Sequence, residues 1–320
     1  MALARLALAV TVAFGTTLAC YPVLRLCDRR RVRALLVAAA VILLSPLVVP
    51  PPARFLRLLA SVLAVTFSLK LYDLHVGARA GVRPTLRRYL VFLWNVFSLV
   101  DRTLDARPDP PAPRPLRLFV SYTFASVVAL AAAVWVFRLD WSRRSFALEH
   151  ATKVVAFFLV LFPFSVAAGV AWRALGGPGR DIMRNPFAAR TPADFWRRYN
   201  RPVHEFLRED VFSSVAGSRR RRPGSVAAAG AAVLTFVLSA AVHEYVFAIP
   251  IGRLRGYQTA FFLLQGLAVA ATMRVKPRGW RAVPWVAATF FFNLATGVFF
   301  FASLNEVVPF YQHRPPLWGE

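Results

Sequence analysis

The sequence predicts an all-α, polytopic integral membrane protein with about eight transmembrane helices and interfacial helices between them. Three observations carry this. Hydrophobic residues make up 58% of the 320 and charged residues only 17%, against about 25% charged in a soluble globular chain. Apolar runs near or within the roughly 17–25 residues that cross a bilayer recur along the whole length. The basic residues gather in the loops that follow alternate runs, which is the positive-inside pattern.

The first run, Ala4–Tyr21, has a lone Arg5 before it and dense charge after it, so it reads as a retained helix rather than a cleaved leader. Ala34–Val49 and Phe55–Lys70 are the shortest runs. Leu118–Phe137, Val154–Trp172, Ser225–Ile249, Tyr257–Met273 and Val283–Ser303 complete the set. Tyr89–Val100 is apolar but short and flanked by arginines, which suits an interfacial or re-entrant helix. The prolines between Pro108 and Pro115 preclude a helix and predict an extended linker.

Arg25 to Arg33, Arg79 to Arg107, Arg180 to Arg222 and Arg274 to Arg281 bound the four basic loops. Taken as cytoplasmic, they place both termini outside. The net charge of +25 is then accounted for by topology and by attraction to anionic headgroups, so membrane lipids rather than nucleic acid are the expected partners. Cys20 and Cys27 offer neither a disulfide framework nor a metal cluster. With no repeat and no shift in composition, residues 1–320 read as a single membrane-embedded domain, within which residues 176–224 form a cytoplasmic amphipathic segment. The alanine- and arginine-rich usage suits a bacterial plasma membrane.

Inside that segment Thr191-Pro192-Ala193-Asp194 is a helix start: a threonine cap, proline at the first position and an acid three residues after the cap. Phe195, Trp196 and Tyr199 then share one helical face, with Arg197, Arg198 and Arg201 elsewhere, until Pro202 interrupts the pattern. By pattern alone an interfacial anchor explains this helix as well as a site does.

Val242-His243-Glu244-Tyr245 places two adjacent ionisable residues deep in an apolar run. A charge near the bilayer centre costs about 2.5–3.5 kcal/mol on insertion scales, so such residues face a cavity or a partner. A desolvated histidine favours its neutral form and can accept a proton; a histidine that merely joins two helices is the alternative. Ser239 lies four residues before His243 on the same face, and Glu244 points about 100° away. Gln265 and Asn293 sit in the middle of the last two runs, and Asp73 and His75 close the third.

Phe195-Trp196-Arg197-Arg198-Tyr199-Asn200, followed about forty residues later by Ser239-Ala240-Ala241-Val242-His243-Glu244-Tyr245, resembles the paired signatures of the membrane-bound O-acyltransferases. It looks most like the wax synthase branch and is similar also to the sterol and diacylglycerol acyltransferases. The resemblance implies His243 as catalytic base, Asn200 as the second signature residue and Glu244 as its accompanying acid. It also implies a substrate contact from Gln265, and Glu244, Trp196, Arg197, Arg198, Tyr199 and Asn293 are the further candidate substrate-binding residues. Arg198 and Tyr199 stand where the diacylglycerol acyltransferase form has an acid and a tryptophan, which favours the wax synthase branch. The implied reaction takes acyl-CoA as co-substrate and a hydrophobic alcohol as acceptor, with no cofactor and no metal. The competing class is a non-catalytic lipid or proton-coupled transporter with His243-Glu244 as a polar gate. A polyprenyl-type transferase needs aspartate clusters for magnesium diphosphate, and the sequence has none suitable.

Overall fold

The computed structural model describes residues 1–103, 114–213 and 225–317. The run Arg219 to Arg222 and most of the proline-rich linker lie outside the described residues. Among the described residues the secondary structure is entirely helical. The chain forms two compact units: residues 1–108 with 242–254, and residues 109–241 with 255–320.

The first unit contains α1 (Ala2–Ala19), α2 (Asp28–Leu44), α3 (Arg54–Arg79) and α4 (Leu86–Trp94). Ala13 of α1, Leu35, Ala38 and Ile42 of α2, and Ala64, Phe67 and Leu71 of α3 form its apolar core. α3 continues well past the predicted end of its run at Lys70. The reason is that Lys70 is buried and its ammonium donates to the carbonyls of Phe92, Leu93 and Asn95 at 2.7, 2.8 and 2.9 Å. It thereby caps the orphan carbonyls at the end of α4. Asp73 on the next turn accepts from Arg102 Nε at 2.8 Å and from the Asp101 backbone at 2.7 Å. The predicted Tyr89–Val100 helix is realised only as nine-residue α4, started by Thr85 as its cap.

The second unit is built on α5 (Pro115–Arg138), α6 (Phe146–Ala174), α10 (Tyr257–Thr272) and α11 (Ala282–Asn305). Two short helices, α7 (Pro192–Arg198) and α8 (Arg201–Phe206), and a π-helical turn at Leu207–Phe212 complete it. Helix α9 (Ser225–Ile251) contributes to both units, changing from the second to the first at Val242. α6 begins eight residues before the predicted Val154 because Glu149, His150 and Lys153 are buried with hydrogen-bond partners. α9 and α10 approach closely at Gly266, where a Cβ would stand 2.7 Å from that of Phe236.

Among the described residues, seven helical stretches are long and apolar enough to cross a bilayer: Ala2–Arg25, Asp28–Val48, Arg54–Arg79, Pro115–Arg138, Phe146–Ala174, Val226–Ile251 and Gly279–Asn305. The expected eighth, Tyr257–Met273, is the 16-residue α10. At 1.5 Å per residue it reaches about 24 Å, short of the roughly 30 Å hydrocarbon core.

Candidate functional site

Helix α7 starts as its sequence dictates. Thr191 accepts a hydrogen bond from the Asp194 backbone N–H at 3.1 Å, satisfying one of the orphan donors of α7. The Ala193 N–H finds a second acceptor in Thr272 Oγ1 at the end of α10, 3.3 Å away. Asp194 holds Arg197 at 2.6 Å and Arg198 at 3.0 Å, the i+3 and i+4 neighbours on its helix. Burial raises its carboxyl pKa, but hydrogen bonds from Arg197, the Arg190 backbone and Arg198 outweigh that and hold it below the usual range. Two of the arginines expected to meet a ligand are therefore already oriented by an internal acid, while the Arg197 side chain stays 65% exposed.

The aromatic face of α7 packs on the helices of its own unit. Trp196 lies 5.2 Å from the Phe236 ring and 5.9 Å from Phe262, and Tyr199 stacks on Phe195 at 5.3 Å. Burial pushes the Tyr199 phenol up to about 12, so it stays protonated. The helix ends at Arg198, and the chain turns at Asn200, whose φ of 42° is left-handed. Asparagine is among the few residues that tolerate this region. Pro202 then falls in the first turn of α8, where its missing N–H is harmless; the break expected at Pro202 lies two residues earlier. Backbone bonds from Arg184 N to Arg198 O and from Arg201 N to Ile182 O, 2.9 and 2.8 Å, secure the loop beneath the break.

Trp196, Gln265 and Asn293, expected from sequence as separate contacts, are joined. The Trp196 indole N–H donates to Gln265 Oε1 at 2.9 Å. Since the indole can only donate, this fixes the amide, whose Nε2 donates to Asn293 Oδ1 at 3.2 Å and Thr296 Oγ1 at 2.9 Å. Asn293 is oriented in turn, and its N–H₂ group makes no hydrogen bond among the described residues. Gln265, only 1% exposed, is thus committed to protein partners. Thr296 was not anticipated. Its position three residues after Asn293 on one helix was the available signal.

Replacing Gln265 by leucine is expected to leave one donor and two acceptors unpaired and to lower stability by about 1–3 kcal/mol. Thermal unfolding in detergent, compared with Gln265→Glu, which keeps the acceptor for Trp196, checks this.

His204, also not singled out from the sequence, lies one turn past Asn200. Burial first, then Arg208, Arg197, Arg201 and Arg180, push its imidazole down to about 4. It is neutral at physiological pH, within strongly positive surroundings suited to anionic groups.

In the first unit His243 and Glu244 are both half-buried on α9, and Ser239 of the second unit is buried on the same helix. Asn200, Trp196, Arg197, Arg198, Tyr199, Gln265 and Asn293 all belong to the second unit.

The sequence profile of the membrane-bound O-acyltransferase family matches residues 118–305, more than half of the chain. The match takes in the α7 motif, Asn200, His243, Gln265 and Asn293. A probable sterol O-acyltransferase 1 of Schizosaccharomyces pombe is 40% identical over 73 residues. That similarity covers 22% of this chain and 12% of the fungal protein. With its profile match over more than half its length, and with seven helices among the described residues long and apolar enough to span, the chain belongs to the membrane-bound O-acyltransferase family and is a multi-pass integral membrane protein.

Proposed function

We propose that the protein is an acyl-CoA-dependent O-acyltransferase that esterifies a long-chain or other hydrophobic alcohol, in the manner of a wax ester synthase, in a bacterial plasma membrane. The observation that carries this reading is the histidine set within a membrane-spanning helix of a chain that belongs to this family. Similarity to a probable sterol O-acyltransferase supports a hydroxyl acceptor.

In the proposed reaction the neutral imidazole of His243 takes the hydroxyl proton as the alcohol oxygen attacks the thioester carbonyl carbon. The C–S bond breaks, coenzyme A leaves as thiolate and receives that proton from the imidazolium, and no acyl-enzyme is formed. Asn200 and Glu244 are the residues that the family motifs associate with the base. The Asn293 amide N–H₂ supplies a donor for a substrate oxygen, with Gln265 and Trp196 orienting it. The cationic surface at Arg197, Arg198 and Arg201 suits the coenzyme A phosphates, and an apolar surrounding limits hydrolysis of the thioester.

The test is ester synthesis in membranes supplied with labelled acyl-CoA and a panel of linear alcohols, sterol and diacylglycerol. Wax ester is expected as the main product. Ester formed only on sterol or diacylglycerol rejects the acceptor class, and acyl-CoA left unchanged with every acceptor rejects the activity.

A further inference from the structure

The end of α9 that carries His243 is fastened by two side chains whose partners are all backbone carbonyls of the first unit. Pro46 has no N–H, so α2 tightens into a 3₁₀ turn at Ser45–Val48 and its last carbonyls lose their α-helical donors. Ser45 Oγ donates to one of them, Ile42 O, at 2.7 Å, and Tyr245 OH donates to the next, Leu43 O, at 2.5 Å. On α3, Arg57 donates from Nε to Val49 O at 2.6 Å and from its terminal nitrogens to Ile249 O at 3.2 Å and Leu47 O at 3.5 Å. Ile249 lies in the last turn of α9, where a cation suits the helix dipole and the orphan carbonyls.

Arg57 is 8% exposed and has no carboxylate partner among the described residues. Burying a guanidinium against neutral carbonyls alone is a poor way to gain stability. What the arrangement does achieve is positional. Tyr245 is two residues beyond His243 and Ile249 six, about 9 Å along the axis, so the two anchors fix both the height and the rotation of that stretch of helix. A 20° rotation would carry a side-chain tip, about 5–6 Å from the axis, through roughly 2 Å, and a 1 Å misplacement of a catalytic group can cost about 10²-fold in rate.

We infer that Arg57 and Tyr245 are positioning residues that set the placement of the His243 imidazole for proton transfer. This rests on the reading of His243 as the base.

The experiment measures initial rates against acyl-CoA for the full-length protein carrying Tyr245→Phe, Arg57→Lys, Arg57→Met or His243→Ala. Tyr245→Phe is expected to lower kcat about tenfold and Arg57→Met about a hundredfold, with KM for acyl-CoA within about twofold. Arg57→Lys, which keeps a cation at the helix end, restores part of the Arg57→Met loss. If Arg57→Met does not yield folded protein, Tyr245→Phe and Arg57→Lys decide. A dead His243→Ala beside fully active Tyr245→Phe and Arg57→Lys overturns this inference alone, as does a loss expressed in KM rather than kcat. Turnover retained in His243→Ala overturns the base assignment and the inference with it.

Discussion

Replacing His243 by alanine is expected to reduce ester formation by about 10²- to 10⁴-fold while the protein still inserts and migrates as a monodisperse species in detergent. The size of the effect follows from the chemistry. An alcohol attacks a thioester poorly unless its proton is removed as the new bond forms. Among the residues of the two family motifs, His243 is the one imidazole, the side chain able to take up a proton near neutral pH. His204 is the informative control, since its imidazole is held neutral by burial and four arginines. If His204→Gln abolishes ester formation and His243→Ala does not, the base lies at the α8 turn. Lipid or proton passage in proteoliposomes separates the remaining class: passage lost with His243→Ala, in a protein that makes no ester before mutation, would identify a polar gate.

The helices were legible in the sequence because apolar runs must be buried or lipid-facing, but several of their ends were not. α3 and α6 looked shorter than they are since Lys70, Asp73, Glu149, His150 and Lys153 read as the polar edge of a run. Each is instead buried with at least one partner 22 to 164 positions away, and periodicity has no access to such distant pairings. The start of α7 was legible to the residue because its cap is local chemistry, Thr191 with Asp194. Its end was read at Pro202 instead of Asn200: proline announces a helix boundary without saying on which side it falls, and the left-handed turn is taken by the asparagine. The pairing of Gln265 with Asn293 was out of reach for another reason. The sequence centres each on its helix, but which faces meet is decided by packing, including the approach that only a glycine at position 266 permits. Trp196 was read as an aromatic of a surface helix, and its bond to Gln265 shows its polar tip used inside the second unit.

Replacing Lys153 by methionine is expected to destabilise the second unit by about 3–5 kcal/mol, the range for breaking a buried ion pair from one side. Lys153 and Glu149 have side chains 2% and 0% exposed and meet at 2.5 Å. The carboxylate also accepts from the backbone N–H groups of Gln312 and His313 at 2.7 and 3.1 Å and from His313 Nδ1 at 2.6 Å. The ammonium donates to Phe310 O at 2.8 Å and lies 5.1 Å from the Phe137 ring centre. Methionine matches the length of the stem and its packing against Phe137, so the loss isolates the charge left on Glu149 and the unpaired Phe310 carbonyl. At about 1.4 kcal/mol per decade the folding equilibrium falls by roughly 10²- to 10⁴-fold, a large drop in melting temperature in detergent. Combining Lys153→Met with Glu149→Gln removes both charges and is expected to recover much of that loss, because the amide oxygen still accepts from the tail while no uncompensated charge remains. A double variant that melts no higher than Lys153→Met alone would show that Glu149 is already uncharged once the lysine is gone, and that the clasp on Phe310–His313 depends on its hydrogen bonds instead of its ion pair.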